Sequence, residues 1–256
     1  MSTFAWRGFY TLFAKEVRRF LKVTVQTVLT PVVTALLYLL VFGQALEAHV
    51  EVYAGISYEA FLIPGLMMMS VIQNAFSNSS SSIIQSKMTG NLVFVLLSPI
   101  SNLEFFLAFT LAAVVRGVLV ALAVYLVAIL FMDLPLAAPW AVVAFGVVGS
   151  ATLGALGLVA GIWADKFDQL AAFQNFFILP LSFLSGVFYS IYALPAFWQA
   201  VSHFNPFFYL IDGFRYGFFG VADADVVLSL GVSLASLLAI SALALLLLRK
   251  GYKIRA

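Results

Sequence analysis

The chain has 256 residues and a net charge of +2; apolar and aromatic residues make up 64% of it and charged residues only 9%. Soluble domains carry about 25% charged and about 45–50% apolar residues, so this balance excludes a soluble enzyme, a disordered chain and a nucleic-acid binder. The absence of cysteine excludes a disulfide framework, a thiolate metal site and a cysteine nucleophile.

In chain order, residues 1–22 lack the central apolar run of a cleavable signal. At 100° per residue, Trp6, Phe9, Tyr10, Phe13, Val17, Phe20 and Leu21 share one face, opposite Arg7, Lys15, Arg18, Arg19 and Lys22. That pattern predicts an amphipathic interface helix on the anionic cytoplasmic leaflet. About 20 apolar residues cross a hydrocarbon core of about 30 Å. Charge-poor stretches then predict six spans, at 23–46, 60–83, 105–131, 140–163, 169–188 and 226–248, so that residues 23–256 form one all-α transmembrane domain.

Basic residues set the orientation. Eleven of the thirteen fall on one side: Arg7, Lys15, Arg18, Arg19, Lys22, Lys87, Lys166, Arg249, Lys250, Lys253 and Arg255. Only Arg215 falls on the other, and Arg116 lies within a span. The positive-inside rule places both termini in the cytoplasm, which requires an even number of spans. The acidic residues lean outward, at Glu47, Glu51, Glu59, Asp133, Asp212, Asp223 and Asp225.

Several features invite a functional reading beside a plain one. Arg116 either lines a polar interior or binds an anionic group, or it snorkels to the interface. Ser70, Asn74 and Ser77 lie on one face of an unusually polar second span, which suits helix–helix glue or a conduit. Met67, Met68 and Met69 read as adaptable packing. Gly146, Ser150, Gly154, Gly157 and Gly161 are small residues spaced for close helix approach. His49 and His203 have no partner at metal-ligand spacing. No catalytic, cofactor-binding or metal motif is present, and no G-x-x-x-x-G-K-[ST] loop.

Two loops stand out. Residues 84–104 carry the short apolar run Leu92–Leu97, punctuated by Gly90 and Pro99. Apolar side chains on a loop seek a partner surface: another protein, or the bundle itself. Residues 189–225 read as two short helices that dip into the outer leaflet and return. Asp212 and Arg215 stand three apart on the second and can pair. The plain reading is an aromatic interfacial belt.

The run Asn205-Pro206, Tyr209-Leu210, Asp212-Gly213-Phe214-Arg215-Tyr216-Gly217 and Gly220 resembles the signature of ABC-2 type transporter permeases, where it also precedes the last span. The likeness covers the whole chain and is greatest to the YadH-like bacterial branch. It implies a homodimer of permeases in the bacterial inner membrane, in contact with lipids and no nucleic acid, with two copies of a separate ABC ATPase. ATP and Mg would bind on that partner and no cofactor on this chain. Lys87, Gly90, Leu92, Leu96, Leu97 and Pro99 would form the coupling segment touching the ATPase. Spans two and five would line the path, and the re-entrant segment would form an outer gate. Many relatives carry acidic residues where Val93 and Phe94 stand here, which implies apolar docking. The alternatives are an ion-uncoupled channel or secondary transporter, or a lipid-handling enzyme built on Asp165, Lys166 and Asp168. Proton- or sodium-coupled carriers usually keep acids or histidines at mid-depth, and none lies deep in a predicted span. The loop explains the Asp165 cluster.

Overall fold

The computed structural model describes residues 5–43, 52–53 and 55–253. Glu47, His49, Glu51, Arg255 and the end of the first predicted span lie outside the described residues.

Helices dominate, and among the described residues the only bridge pairing is the isolated one between Tyr53 and Ile56. Helix α1 is Trp6–Leu21. Helix α2 runs over 25–43, as a π-helical turn Val25–Leu29, an α-helix Thr30–Tyr38 and a second π turn Leu39–Gly43. Then come α3 (Tyr58–Met88), α4 (Asn91–Leu97), α5 (Asn102–Ala128) and α6 (Pro139–Trp163). Helix α7 covers 167–183, again interrupted by a π turn, Gln174–Ile178. A 3₁₀ turn, Ile191–Ala193, leads to α8 (Ala196–His203), α9 (Pro206–Phe219) and α10 (Val226–Lys250).

Local chemistry sets the ends. Ser57 accepts from the Ala60 amide and starts α3. Ser101 and Glu104 form a reciprocal capping box at the start of α5. The Asp225 carboxylate accepts from the Val227 and Leu228 amides to start α10. Gly220, at φ +70°, closes α9 in the left-handed region open to glycine.

Two of the three π turns, Val25–Leu29 and Gln174–Ile178, have a shared cause. Each lies just before a proline at the start of the next α-helical piece, Pro31 and Pro180. Proline lacks the N–H and its ring crowds the carbonyl four residues back. Widening the helix by one residue absorbs that misfit without breaking the chain direction.

Four helices are long and apolar enough to cross a membrane: α3, α5, α6 and α10. A fifth candidate is the bent pair of α1 with 25–41, angled at 72°. Four of the six predicted stretches fall on α3, α5, α6 and α10, while 23–46 and 169–188 fall on the π-interrupted helices α2 and α7, of which only α2, in the bent pair, is a candidate. Helix α3 is central, packed against α6, α5 and α9, and Met67, Met68 and Met69 are buried in its core. The glycines of α6 make that closeness possible. A Cβ on Gly154 would stand 2.6 Å from Ala113 Cβ, and one on Gly161 would stand 2.8 Å from Ile83 Cβ. Gly157 meets the Phe76 backbone and Gly149 the end of Met68. Ser150 lies against Gly117 and turns its hydroxyl back to the Gly146 carbonyl.

Candidate functional site

The bundle has two chemically distinct ends. One end, here the basic end, gathers α1, α4, residues 165–168 and the residues after α10. Helix α1 docks on α5, and the Glu104 carboxylate accepts from the Ala5 amide at 2.6 Å and the Ser101 amide at 2.9 Å. The face of α1 that meets the bundle is Leu12, Glu16 and Phe20, roughly a quarter turn from the centre of its apolar stripe. Trp6 and Tyr10 therefore remain exposed. The rotation divides the helix between protein, an outward apolar side and a charged side.

Helix α4 splits its apolar residues. Leu92 is buried and Leu96 half-buried against the bundle. Val93, Phe94 and Leu97 point outward, Phe94 at 72% and Leu97 at 78% exposure. Leu96, expected to dock outward, instead packs inward, because it stands four residues after the buried Leu92 and so shares its face. Gly90, at φ +72°, makes the turn from α3 into α4. A groove of about 600 Å³ runs between α1 and the α4–α5 turn, with Phe94, Pro99 and Ile100 on one wall and Arg7, Gly8, Thr11 and Lys15 on the other.

Lys87 does not reach that groove. Its Nζ donates to the carbonyls of Ile162 (2.9 Å) and Ala164 (2.6 Å) and lies 3.6 Å from Asp165 Oδ1. It caps the C-terminus of α6, where a cation suits the helix dipole. Asp165 also accepts from Lys253 at 2.6 Å. That hydrogen bond holds the Asp165 carboxyl below its usual range and raises the Lys253 ammonium. Asp165 is a clasp between the end of α6 and the residues after α10; Lys166 and Asp168 add no ion pair among the described residues.

The second feature is a polar stripe on α3. The helix is buried almost all round, but Ser70, Gln73, Asn74, Ser77 and Ser81 are only half-buried. Arg116 of α5 donates to Asn74 Oδ1 through Nε (3.2 Å) and a terminal nitrogen (2.8 Å). One turn along, Arg19 of α1 donates to the Asn78 carbonyl (2.6 Å), Asn78 Oδ1 (3.1 Å) and Ser81 Oγ (3.4 Å). Arg19 is in turn paired with Glu16 at 3.1 Å. Sequence reasoning placed Arg19 on the outer polar face of α1 and gave Glu16 no role. The polar pair Asn74–Asn78 on α3 was the available signal. At the other end of the stripe, a cavity of about 210 Å³ is lined by Thr34 and Tyr38 of α2, Ser70 and Gln73 of α3, and Leu179 and Phe183 of α7.

At the end away from the termini, the signature residues lock 186–225 in place. Asp212 and Arg215 do not pair with each other, as their spacing suggested. Asp212 accepts from the amides of Asp223 and Ala224, both at 2.9 Å. Arg215, 1% exposed, donates to the Gly186 carbonyl at 2.7 Å and stacks 3.9 Å over the Phe61 ring. Both side chains satisfy backbone groups that folding would otherwise strand. Asp223, which the sequence did not single out, accepts from Tyr53 Oη (2.7 Å), Ser190 Oγ (2.8 Å) and the Ile191 amide (2.9 Å). Burial pushes the Tyr53 phenol above its usual range, and the neighbouring carboxylates add to this against the nearby Arg215. Asn205 caps α9 through the Phe207 amide and ties it to the Leu181 carbonyl. Gly213 and Gly217 admit Phe145 and Val142 of α6, and Phe214 is buried beside them. Helix α9 is thus packed into the bundle against α6, α10 and α3, which is not the placement of a surface belt. The exposed aromatics are Tyr192, Phe197, Trp198 and Phe204, in and beside α8. His203 is exposed and packs edge-on to Phe208.

The sequence also matches known proteins. The family model for "ABC-2 type transporter" matches residues 7–219. "Inner membrane transport permease YadH" of Escherichia coli (strain K12) is 36% identical over 252 residues, 98% of each chain. The protein of the same name from Shigella flexneri is equally similar, and "Nodulation protein J" of Rhizobium leguminosarum bv. viciae is 26% identical over 214 residues, 82% of each chain. With a family model that runs from α1 to the end of α9 and a relative aligned over nearly the whole chain, this protein belongs to the ABC-2 type transporter family of transport permeases.

Proposed function

We propose that the chain is the transmembrane subunit of an ATP-binding-cassette exporter in a bacterial cytoplasmic membrane. It would work as a homodimer with two copies of a separate ATPase, which supplies ATP and Mg. Both termini, and hence the basic end, would face the cytoplasm. Helices α2, α3, α5, α6, α7 and α10 would be the six spans, and 189–225 the outer re-entrant gate.

The observation that carries this reading is the outward apolar edge of α4. Phe94 and Leu97 stand exposed beside a groove rimmed by Arg7 and Lys15. Burying such an edge against a partner gains about 25 cal/mol per Å², and the basic rim favours an acidic counterpart. Residues 84–104 span from α3 into α5, so a push on α4 is transmitted to both. The stripe of Ser70, Asn74 and Ser77, with α2 and α7 beside it, would line the route, and its mixed polarity suits an amphipathic or lipid-linked cargo. A coupled secondary carrier is disfavoured because the carboxylates of the spans that form ion pairs or hydrogen bonds lie at their ends, such as Glu104.

The test is co-purification with an ABC ATPase subunit co-expressed from the same genome. Wild-type chain should retain it, and Phe94→Asp with Leu97→Asp should release it while the permease stays folded. Retention by the double variant, or no ATPase bound to the wild type, would overturn the reading.

A further inference from the structure

Four small residues of α6 are explained by what they touch: an added Cβ would collide at Gly149, Gly154, Gly157 and Gly161. Gly146 is different. Among the described residues, the one atom within 4 Å of a Cβ placed there is Phe214 Cε2, at 3.5 Å, an ordinary contact. Close helix approach therefore does not require a glycine at 146, and the missing side chain leaves a hollow. That hollow is a cavity of about 250 Å³ between α3, α5, α6 and α9. Buried Met67, Gly117, Phe214 and Phe218 form its inner wall, and the exposed side chains of Val118, Leu122, Val143 and Val147 flank its mouth.

The chemistry of the cavity narrows its occupant. Apart from the Tyr125 hydroxyl, every lining side chain is apolar, whereas an ordered water needs about two to four polar partners. A helix with its side chains is about 10–12 Å across, too wide for this volume, while a single unbranched hydrocarbon chain fits. The mouth residues belong to α5 and α6, two of the helices long and apolar enough to cross a membrane, so the cavity is continuous with the surface that meets the bilayer. An unfilled void there forfeits the dispersion contacts of its lining. At 1.5 Å per residue, Gly117 and Tyr125 stand about 16 Å and about 5 Å from the end of α5 at Ala128, in the half of the span away from the termini. Trp140 and Tyr216 pack edge to face at the same end, their ring centroids 6.4 Å apart, as aromatics do at headgroup level. No lysine, arginine or histidine is among the described lining residues, so the cavity reads the chain and not the headgroup.

We propose that this cavity holds one acyl chain of a phospholipid from the leaflet at the end away from the termini. The chain enters sideways between α5 and α6 and packs on Phe214 and Phe218. It completes the packing of α9, the helix whose Asp212 and Arg215 hold 186–225. None of the lining residues belongs to the polar stripe of α3, and the inference needs only that α5 and α6 cross a membrane.

The experiment reconstitutes the full chain in phosphatidylcholine vesicles that contain a small fraction of phosphatidylcholine with a photoreactive diazirine at the middle of one chain. After illumination, labelled residues are mapped by mass spectrometry. Met67, Phe214 and Phe218 are at most 2% exposed, so bulk lipid does not reach them and a seated chain does. Wild type should be labelled at these three as well as at the mouth. Gly146→Leu fills the hollow and should bring labelling of the inner wall down to the level of an unilluminated control, while the mouth stays labelled. Val143→Phe narrows the mouth from an exposed position and should also reduce inner labelling; it carries the test if Gly146→Leu does not fold. Leu238→Phe, on the exposed side of α10, should keep the wild-type pattern. Photoreactive phosphatidylglycerol should label the inner wall as phosphatidylcholine does. Labelling confined to the mouth, inner labelling unchanged in the folded cavity variants, or inner labelling by only one of the two headgroups would overturn the proposal.

Discussion

The close approach of α5 and α6 can be tested by exchanging one methyl group between them. Gly154 faces Ala113, and a Cβ placed on Gly154 would lie 2.6 Å from Ala113 Cβ, where ordinary contact starts near 3.4 Å. Gly154→Ala must therefore move the helices apart by about 0.8 Å or more at that level. A gap of 0.5–1 Å forfeits about a quarter to a half of each contact's dispersion energy, and overpacking a tight interface costs about 1–3 kcal/mol. Alanine also gains about 1 kcal/mol of helix propensity over glycine, which masks part of the loss. Gly231→Ala in α10, where nothing lies within 4 Å of the added Cβ, measures that gain alone. At about 2–4 °C per kcal/mol, Gly154→Ala should melt about 2–12 °C below Gly231→Ala, followed by tryptophan fluorescence in a mild detergent. Ala113→Gly in the Gly154→Ala background should restore the lost stability, giving a coupling of about 1–3 kcal/mol. If Gly154→Ala is as stable as Gly231→Ala, or the double variant is additive, the packing argument is wrong.

The clasp around 186–225 makes further predictions. Arg215→Met removes the donor to Gly186 and should cost about 2–3 kcal/mol, seen as a lower melting temperature; Arg215→Lys should lose less, because an ammonium can still meet one carbonyl. Asp223→Ala strands Tyr53, Ser190 and the Ile191 amide, and should make 189–225 sensitive to protease before the bundle melts. At the other end, Phe94→Asp with Leu97→Asp should leave the melting temperature unchanged, since both side chains are exposed, while abolishing ATPase co-purification; a large loss of stability would mean α4 is held by contacts of those residues.

Helix positions were legible because each long element carries its own signal. The runs at 60–83, 105–131, 140–163 and 226–248 fall within a few residues of α3, α5, α6 and α10, whose ends are set by nearby caps such as Ser57, Ser101 and Asp225. The π turns at 25–29 and 174–178 were not, because apolarity does not register a helix that widens ahead of Pro31 or Pro180. The small residues of α6 and the signature run were visible as patterns, but their partners were not. Spacing alone suggested that Asp212 and Arg215 would meet, whereas the tertiary structure supplies each with backbone groups nearly a dozen or more residues away. Likewise Leu96 and Lys87 were marked by position in a loop, and only packing shows that one turns inward and the other caps α6.

Three cations, one buried and two half-buried, share one design that bears on how the molecule moves. Arg215 is held by the Gly186 carbonyl, Lys87 by the carbonyls of Ile162 and Ala164, and Arg116 by the Asn74 amide oxygen. None of these ties needs a carboxylate at mid-depth, so none is broken by protonation in the physiological range. A carbonyl tie is also weaker than a full ion pair, so it can be exchanged at lower cost when helices shift. The two outer ties differ from the middle one in what holds them. Arg215 is sealed against Phe61 and Lys87 is anchored on a helix end, whereas Arg116 lies on a half-buried stripe beside a second arginine. On those grounds Arg215 and Lys87 are fixed ties of the frame. Arg116 is tied to one side-chain oxygen rather than to backbone carbonyls, so of the three ties it is the one that a rotamer change of its partner releases.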